Sequence, residues 1–150
     1  MDRDTRARIN DFALKVATIN GTGSASANGL LIQAIFRMGV PVSGKNVFPS
    51  NIQGLPTWYE IRVTKDSNLA RSGEIDIMVA MNAETYQQDL KSLSPGGVLI
   101  YDSTWPRNSV LTRQDVTILG VPLAKICNER FSDARTRILM KNMAYLGTLA

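Results

Sequence analysis

The chain contains no histidine and a single cysteine among its 150 residues. Without histidine, the commonest proton shuttle near neutral pH and the hydrolase triads built on it are excluded. Cys127 alone can form no internal disulfide and no CxxC metal or cluster site, so a buried structural thiol is expected. No apolar run approaches the roughly 18 residues that suggest a membrane span. The first eight residues, MDRDTRAR, lack the apolar core of a signal peptide and read, through residue 9, as a solvated tail. These features fit a cytoplasmic protein. There is no basic run and no zinc-finger or RNA-binding signature, and the net charge is only +4, which argues against nucleic acid as a partner. A site for a phosphorylated small molecule accounts for the same weak excess. The Walker pattern is absent, which argues against ATP or GTP hydrolysis.

What is present is globular, with 44% hydrophobic and 20% charged residues. DFALKVATI, residues 11–19, is an apolar, branched stretch expected to form a central strand. Helical periodicity runs from Ser24 to Met38, with Ala27, Leu31, Ala34 and Met38 on one stripe, Leu30 and Ile35 widening it, and Gly39 as the stop. A second strand is expected over 40–47, interrupted by Pro41 and Gly44. Residues 58–63 alternate as a half-buried strand, and IDIMVA, 75–80, reads as a buried one. A helix is expected over 83–93 with Asn82 as its N-cap, ended by Pro95-Gly96-Gly97. Strands follow at 98–101 and 116–121. A last helix from about Asp133 places Leu139, Met143, Leu146 and Ala150 on one stripe. Its pattern meets no stop signal before Ala150, which suits a chain cut from a longer one as well as a natural end. Strands alternating with helices predict a three-layer α/β/α sandwich around a mainly parallel sheet, with residues 10–150 as one domain.

The chemistry concentrates at INGTGSASANG, residues 19–29, where a strand runs into a helix. Such a turn presents free backbone N–H groups and the positive end of a helix dipole, and glycine lets an anion approach closely. Thr22, Ser24 and Ser26 add hydroxyl donors. The alternative is a tight connection with Ser24 as the N-cap, and the motif alone leaves both open. The dinucleotide fingerprint is not met: Ser26 holds the third glycine position, and Lys45, not an acid, lies near the end of the second strand. A second candidate is the polar loop Pro49-Ser50-Asn51-Ile52-Gln53-Gly54, for which a self-satisfied surface loop is the simpler reading. Asp102, at a strand end, has no visible partner for acid–base work, and a capping or hydrogen-bonding role is expected.

The glycine turn, RMGVPV, FPSNIQGLPTWYEIRV, IDIMVAMN and PGGVLIYDST, in that order and spacing, resemble the gamma domain of 2-oxoacid:ferredoxin oxidoreductases. The likeness covers roughly residues 10–149 and is strongest to the N-terminal part of the alpha subunit of the 2-oxoglutarate-type enzymes. It implies a part in oxidative decarboxylation of a 2-oxoacid to an acyl-CoA with reduction of ferredoxin. It further implies coenzyme A contacts at Gly21, Thr22, Gly23 and Ser24 and at the facing loop, Ser50, Asn51, Gln53 and Gly54, with no catalytic and no metal-binding residue in this chain. Thiamine diphosphate, magnesium and iron–sulfur clusters would belong to other domains or subunits. The implied partners are the remaining alpha-subunit domain, a thiamine-binding beta subunit and, through the complex, ferredoxin. On this reading the isolated chain is inactive. Many members carry GxGGxG where this chain has Gly21-Thr22-Gly23-Ser24-Ala25-Ser26. Two other readings stand beside it: an independent nucleotide- or phosphate-binding module, and a purely structural subunit-docking domain.

Overall fold

A computed structural model describes residues 9–47, 52–66 and 73–150. The expected 1–9 tail, apart from Ile9, lies outside the described residues, as do Ser50 and Asn51. Six strands form one sheet: β1 (Asp11–Ile19), β2 (Val42–Val47), β3 (Pro56–Thr64), β4 (Ile75–Ala80), β5 (Leu93–Asp102) and β6 (Thr117–Val121). Their order is β2-β3-β1-β4-β5-β6. The pairs β1/β4, β4/β5 and β5/β6 are parallel, while β3 runs antiparallel to both β1 and β2. The helices are α1 (Ser24–Arg37), α2 (Tyr86–Ser92), α3 (Leu123–Arg130) and α4 (Ala134–Leu149).

Strand alternation divides the core between the two sheet faces. Leu14 and Val16 of β1 point into a cluster with Ala27 and Ile35 of α1, Leu123 of α3 and Tyr145 of α4. Ala13 and Ala17 point the other way, into a cluster with Trp58, Met78, and Tyr86 and Leu90 of α2. Helices therefore cover both faces, as expected for three layers. On the α2 face the buried Asp89 carboxylate accepts the Trp58 indole N–H at 2.8 Å and the Thr85 hydroxyl at 2.7 Å. Burial pushes the Asp89 carboxyl above its ordinary range, and these two hydrogen bonds oppose the shift.

Several expectations are corrected. On α1 Ala27 and Ile35 are buried as expected, but the polar Ser24 and Asn28 are buried with them, whereas Leu30, Ala34 and Met38 are exposed. The buried residues of α4 are Asn142 and Tyr145, and Leu139 and Met143 of the expected stripe are exposed. Pro95-Gly96-Gly97 does not separate helix from strand but lies inside β5. A Cβ on Gly97 would come within 2.8 Å of the Asp76 carbonyl oxygen, so glycine permits this close approach of β4 and β5. The helix α3 had no counterpart in the sequence reading. As expected, Asn82 caps, accepting the Glu84 N–H at the start of a 3₁₀ turn, Ala83–Thr85.

Candidate functional site

In a sheet of this kind ligands sit beyond the carboxyl ends of parallel strands, where successive connections leave toward opposite faces. Here β1 leads to α1 on one face and β4, its neighbour, leads to α2 on the other. The glycine turn, residues 20–23, lies at that point. The antiparallel β3 begins at the same edge, because Ile19 pairs with Pro56. The register thus brings the chain before β3 beside the turn. Asn20 N–H donates to the Leu55 carbonyl at 2.8 Å, and Gly54 N–H donates to the Asn20 carbonyl at 3.0 Å. The Asn20 side chain donates to the Ile52 carbonyl at 3.1 Å. The two expected site segments are therefore neighbours, with Gln53 and Gly54 against the turn.

Gly21 and Gly23 have φ of 88° and 80°, a region that favours glycine. Each, although exposed, also has a side chain of this chain close to where its own Cβ would lie. A Cβ on Gly21 would meet Gln53 Cγ at 2.7 Å, and one on Gly23 would meet Leu139 Cδ2 at 2.8 Å. Absence of a side chain here serves packing as well as backbone conformation.

Gly23, not Ser24, is the N-cap of α1, and a glycine brings no side chain to cap the helix. The Ser24 hydroxyl is buried and shares a 2.8 Å hydrogen bond with Thr18 of β1, while the Thr22 hydroxyl donates to the Ile19 carbonyl at 2.8 Å. The donor role expected of these two hydroxyls is thus revised: both are engaged inside the fold. What remains open is the backbone. The N–H groups of Ser24, Ala25 and Ser26 have no partner within a helix that begins at Ser24. No acidic residue lies in its first turn, so nothing there neutralises the positive end of the helix dipole. The exposed Ser26 keeps its place on this first turn.

Lys45 is not at the turn. It faces Glu60 across the β2/β3 ladder, as Lys15 does from β1, several residues short of Ile19. It lines a cleft of about 290 Å³ toward the opposite end of β1, with Ser43, Glu60, Arg62 and Glu74. Two of the charges there are partnered within the fold, Glu60 with Lys15 at 3.4 Å and Arg62 with Asp11 at 2.5 Å. Asp102 takes the bonding role expected of it. Its buried carboxylate accepts the Thr104 hydroxyl at 2.6 Å and the Ala124 N–H of α3 at 3.2 Å, with Lys141 at 3.8 Å. Among the described residues no group of three histidine, cysteine or acidic side chains could hold a metal ion. None of their helices is long and apolar enough to cross a membrane.

Sequence reasoning missed the contribution of α4. Asn142 Nδ2 donates to the Thr22 carbonyl at 2.8 Å, and Leu139 of the same helix lies over Gly23. These contacts span more than a hundred residues, and no local pattern signals them.

The profile of the pyruvate ferredoxin/flavodoxin oxidoreductase family matches residues 13–150. Subunit alpha of a 2-oxoacid:ferredoxin oxidoreductase from Aeropyrum pernix is 29% identical over 92 residues, 61% of this chain and 14% of that one. A 2-oxoglutarate:ferredoxin oxidoreductase from Magnetococcus marinus, solved with 2-oxoglutarate, coenzyme A and succinyl-CoA bound, superposes with a TM-score of 0.80 at 26% identity. That match covers 95% of this chain and 24% of the other. The gamma subunit of a keto/oxoacid ferredoxin oxidoreductase from Geobacter sulfurreducens shares the fold, with a TM-score of 0.67 at 15% identity over 92% of this chain and 75% of that one. The chain therefore spans a small part of the first two relatives.

Proposed function

The chain belongs to the pyruvate ferredoxin/flavodoxin oxidoreductase family, and we propose that residues 10–150 are the coenzyme-A-contacting, gamma-type domain of a 2-oxoacid:ferredoxin oxidoreductase. The proposed substrate is 2-oxoglutarate, by similarity to the Magnetococcus marinus enzyme. The reaction is oxidative decarboxylation to the acyl-CoA with electrons passed to ferredoxin. Thiamine diphosphate, magnesium and the iron–sulfur clusters are assigned elsewhere by the family resemblance, and a single cysteine cannot hold a cluster. Those groups belong to the remaining alpha-subunit domain and a thiamine-binding beta subunit, and the chain alone turns over no 2-oxoacid. Its work is done in the cytoplasm, inside the complex.

One observation carries the reading: the N-terminus of α1, with a glycine as its N-cap and without an acidic residue in its first turn, at the carboxyl edge of the sheet. Its backbone N–H groups suit the phosphate-bearing part of coenzyme A. The proposed site comprises Gly21, Thr22, Gly23 and Ser24 with Gln53 and Gly54 against them, and the family resemblance assigns Ser50 and Asn51 to it as well. A docking domain with a merely tight turn is the second reading, favoured by the packing of Gln53 and Leu139 over the two glycines.

Ala25→Asp separates the two. Ala25 is exposed in the first turn of α1, so an added carboxylate meets the favourable end of the dipole and does not lower stability. It repels a phosphate. In the assembled enzyme KM for coenzyme A is expected to rise roughly tenfold or more, equivalent to about 1.4 kcal/mol, with the thermal midpoint unchanged or slightly raised. An unchanged KM would favour the docking reading.

A further inference from the structure

The orientation of one peptide plane in the turn depends on a distant side chain. The Thr22 carbonyl accepts the Asn142 amide at 2.8 Å, across 120 positions of chain. A trans peptide is planar, with its C=O and N–H on opposite sides. By drawing the Thr22 oxygen toward α4, Asn142 turns the Gly23 N–H away from α4. Reversing that plane would chiefly change ψ of Thr22 and φ of Gly23. Gly23, at φ 80°, accepts either sign of φ about equally, so residue 23 does not itself choose between the two orientations.

The neighbouring planes are held by the backbone. The Asn20 carbonyl accepts from Gly54, and the Thr22 N–H donates to Ile19 at 3.3 Å. Among the described residues, the 22–23 plane is instead fixed by a side chain. Asn142 is itself well placed to hold it: it is 5% exposed, and one turn further on Tyr145 ties α4 to Asn28 of α1 at 2.9 Å.

We infer that Asn142 is a positioning residue that locks the 22–23 peptide, so that the Gly23 N–H joins the first-turn N–H groups of α1 at the anion site. The lock is a statement about the fold; its effect on catalysis rests on the coenzyme A reading above. Asn142→Asp keeps the size of the side chain, but the ionised carboxylate has no donor and sets negative charge against the Thr22 oxygen. Asn142→Ser is smaller and neutral, and its side chain is too short to make the same bond.

The test is made on the assembled oxidoreductase, by a crystal structure of each variant together with KM for coenzyme A and kcat. For Asn142→Asp, the Thr22 carbonyl is expected to point away from α4. KM should rise about tenfold, with kcat at saturating coenzyme A held within about twofold. Asn142→Ser is expected to shift both in the same direction by less, and it carries the comparison if the aspartate variant fails to assemble. A 22–23 plane that keeps its orientation in the variants overturns the lock. So does a fall in kcat without a rise in KM, the mark of general damage. The Ala25→Asp enzyme distinguishes the two levels. If its KM rises while the Asn142 variants keep the parent value, the positioning role is wrong and the coenzyme A site stands. If none of the variants changes KM, the coenzyme A reading falls, and the catalytic part of this inference with it.

Discussion

The Tyr145 hydroxyl donates to Asn28 Oδ1 at 2.9 Å, joining α4 to α1 inside the core, 117 positions apart in the chain. Both residues are almost wholly buried, and burial raises the Tyr145 pKa, keeping the phenol protonated as the donor. Tyr145→Phe removes that donor and leaves the Asn28 oxygen without it. The expected cost is about 1–3 kcal/mol, the penalty for an unsatisfied buried polar group. Denaturant unfolding measures it, and a loss below about 0.5 kcal/mol would show that the bond contributes little.

Asp133 makes the stability of α4 depend on pH. Its carboxylate accepts the Thr136 N–H at 2.7 Å and the Thr136 hydroxyl at 2.8 Å, which holds its pKa below the ordinary range. For an acid with a lowered folded-state pKa, the stabilisation is present above the unfolded pKa. It is lost as pH falls through the folded value. Asp133→Asn retains an N-cap but does not titrate. Thermal midpoints of the parent should therefore fall relative to Asp133→Asn from about pH 4 downward. A difference that stays constant between neutral and acidic pH would contradict this.

Cys127 should report unfolding. It is buried, and burial, with a smaller contribution from Asp102, pushes its thiol pKa up against the pull of Lys141. The reactive species is the thiolate. Labelling by a disulfide reagent at neutral pH is expected to be slow in the native protein and to become fast as denaturant unfolds it. Complete labelling within seconds under native conditions would place Cys127 outside the core.

The strands were legible because their apolar runs are short, branched and bounded by turn residues: 11–19 and 75–80 form β1 and β4 as expected. The glycine turn was legible as a strand–helix junction for the same local reason. The helix faces were less so. On α4 a hydrophobic stripe suggested Leu139 and Met143 inside, but the buried positions go to Asn142 and Tyr145, whose polar atoms find partners on the turn and on α1. Those hydrogen bonds accompany apolar packing by Ala144, Leu146 and Leu149 on the same helix, and partners so distant in the chain cannot be read from periodicity. In α3, the spacing of Leu123, Ala124 and Cys127 was the only available signal, over too few residues to stand out. The engaged hydroxyls of Thr22 and Ser24 depend on where Ile19 and Thr18 lie in the folded turn, and residue type alone does not give that.

The central claim is that the N-terminus of α1 receives the phosphate-bearing part of coenzyme A. A structure of the assembled oxidoreductase with coenzyme A bound tests it most directly. A phosphate oxygen is expected within about 2.7–3.2 Å of backbone nitrogens among residues 23–26, with Gln53 and Gly54 beside the ligand. A structure in which every phosphate of coenzyme A lies away from this turn, with the N–H groups of residues 23–26 facing solvent or another subunit, would contradict the account.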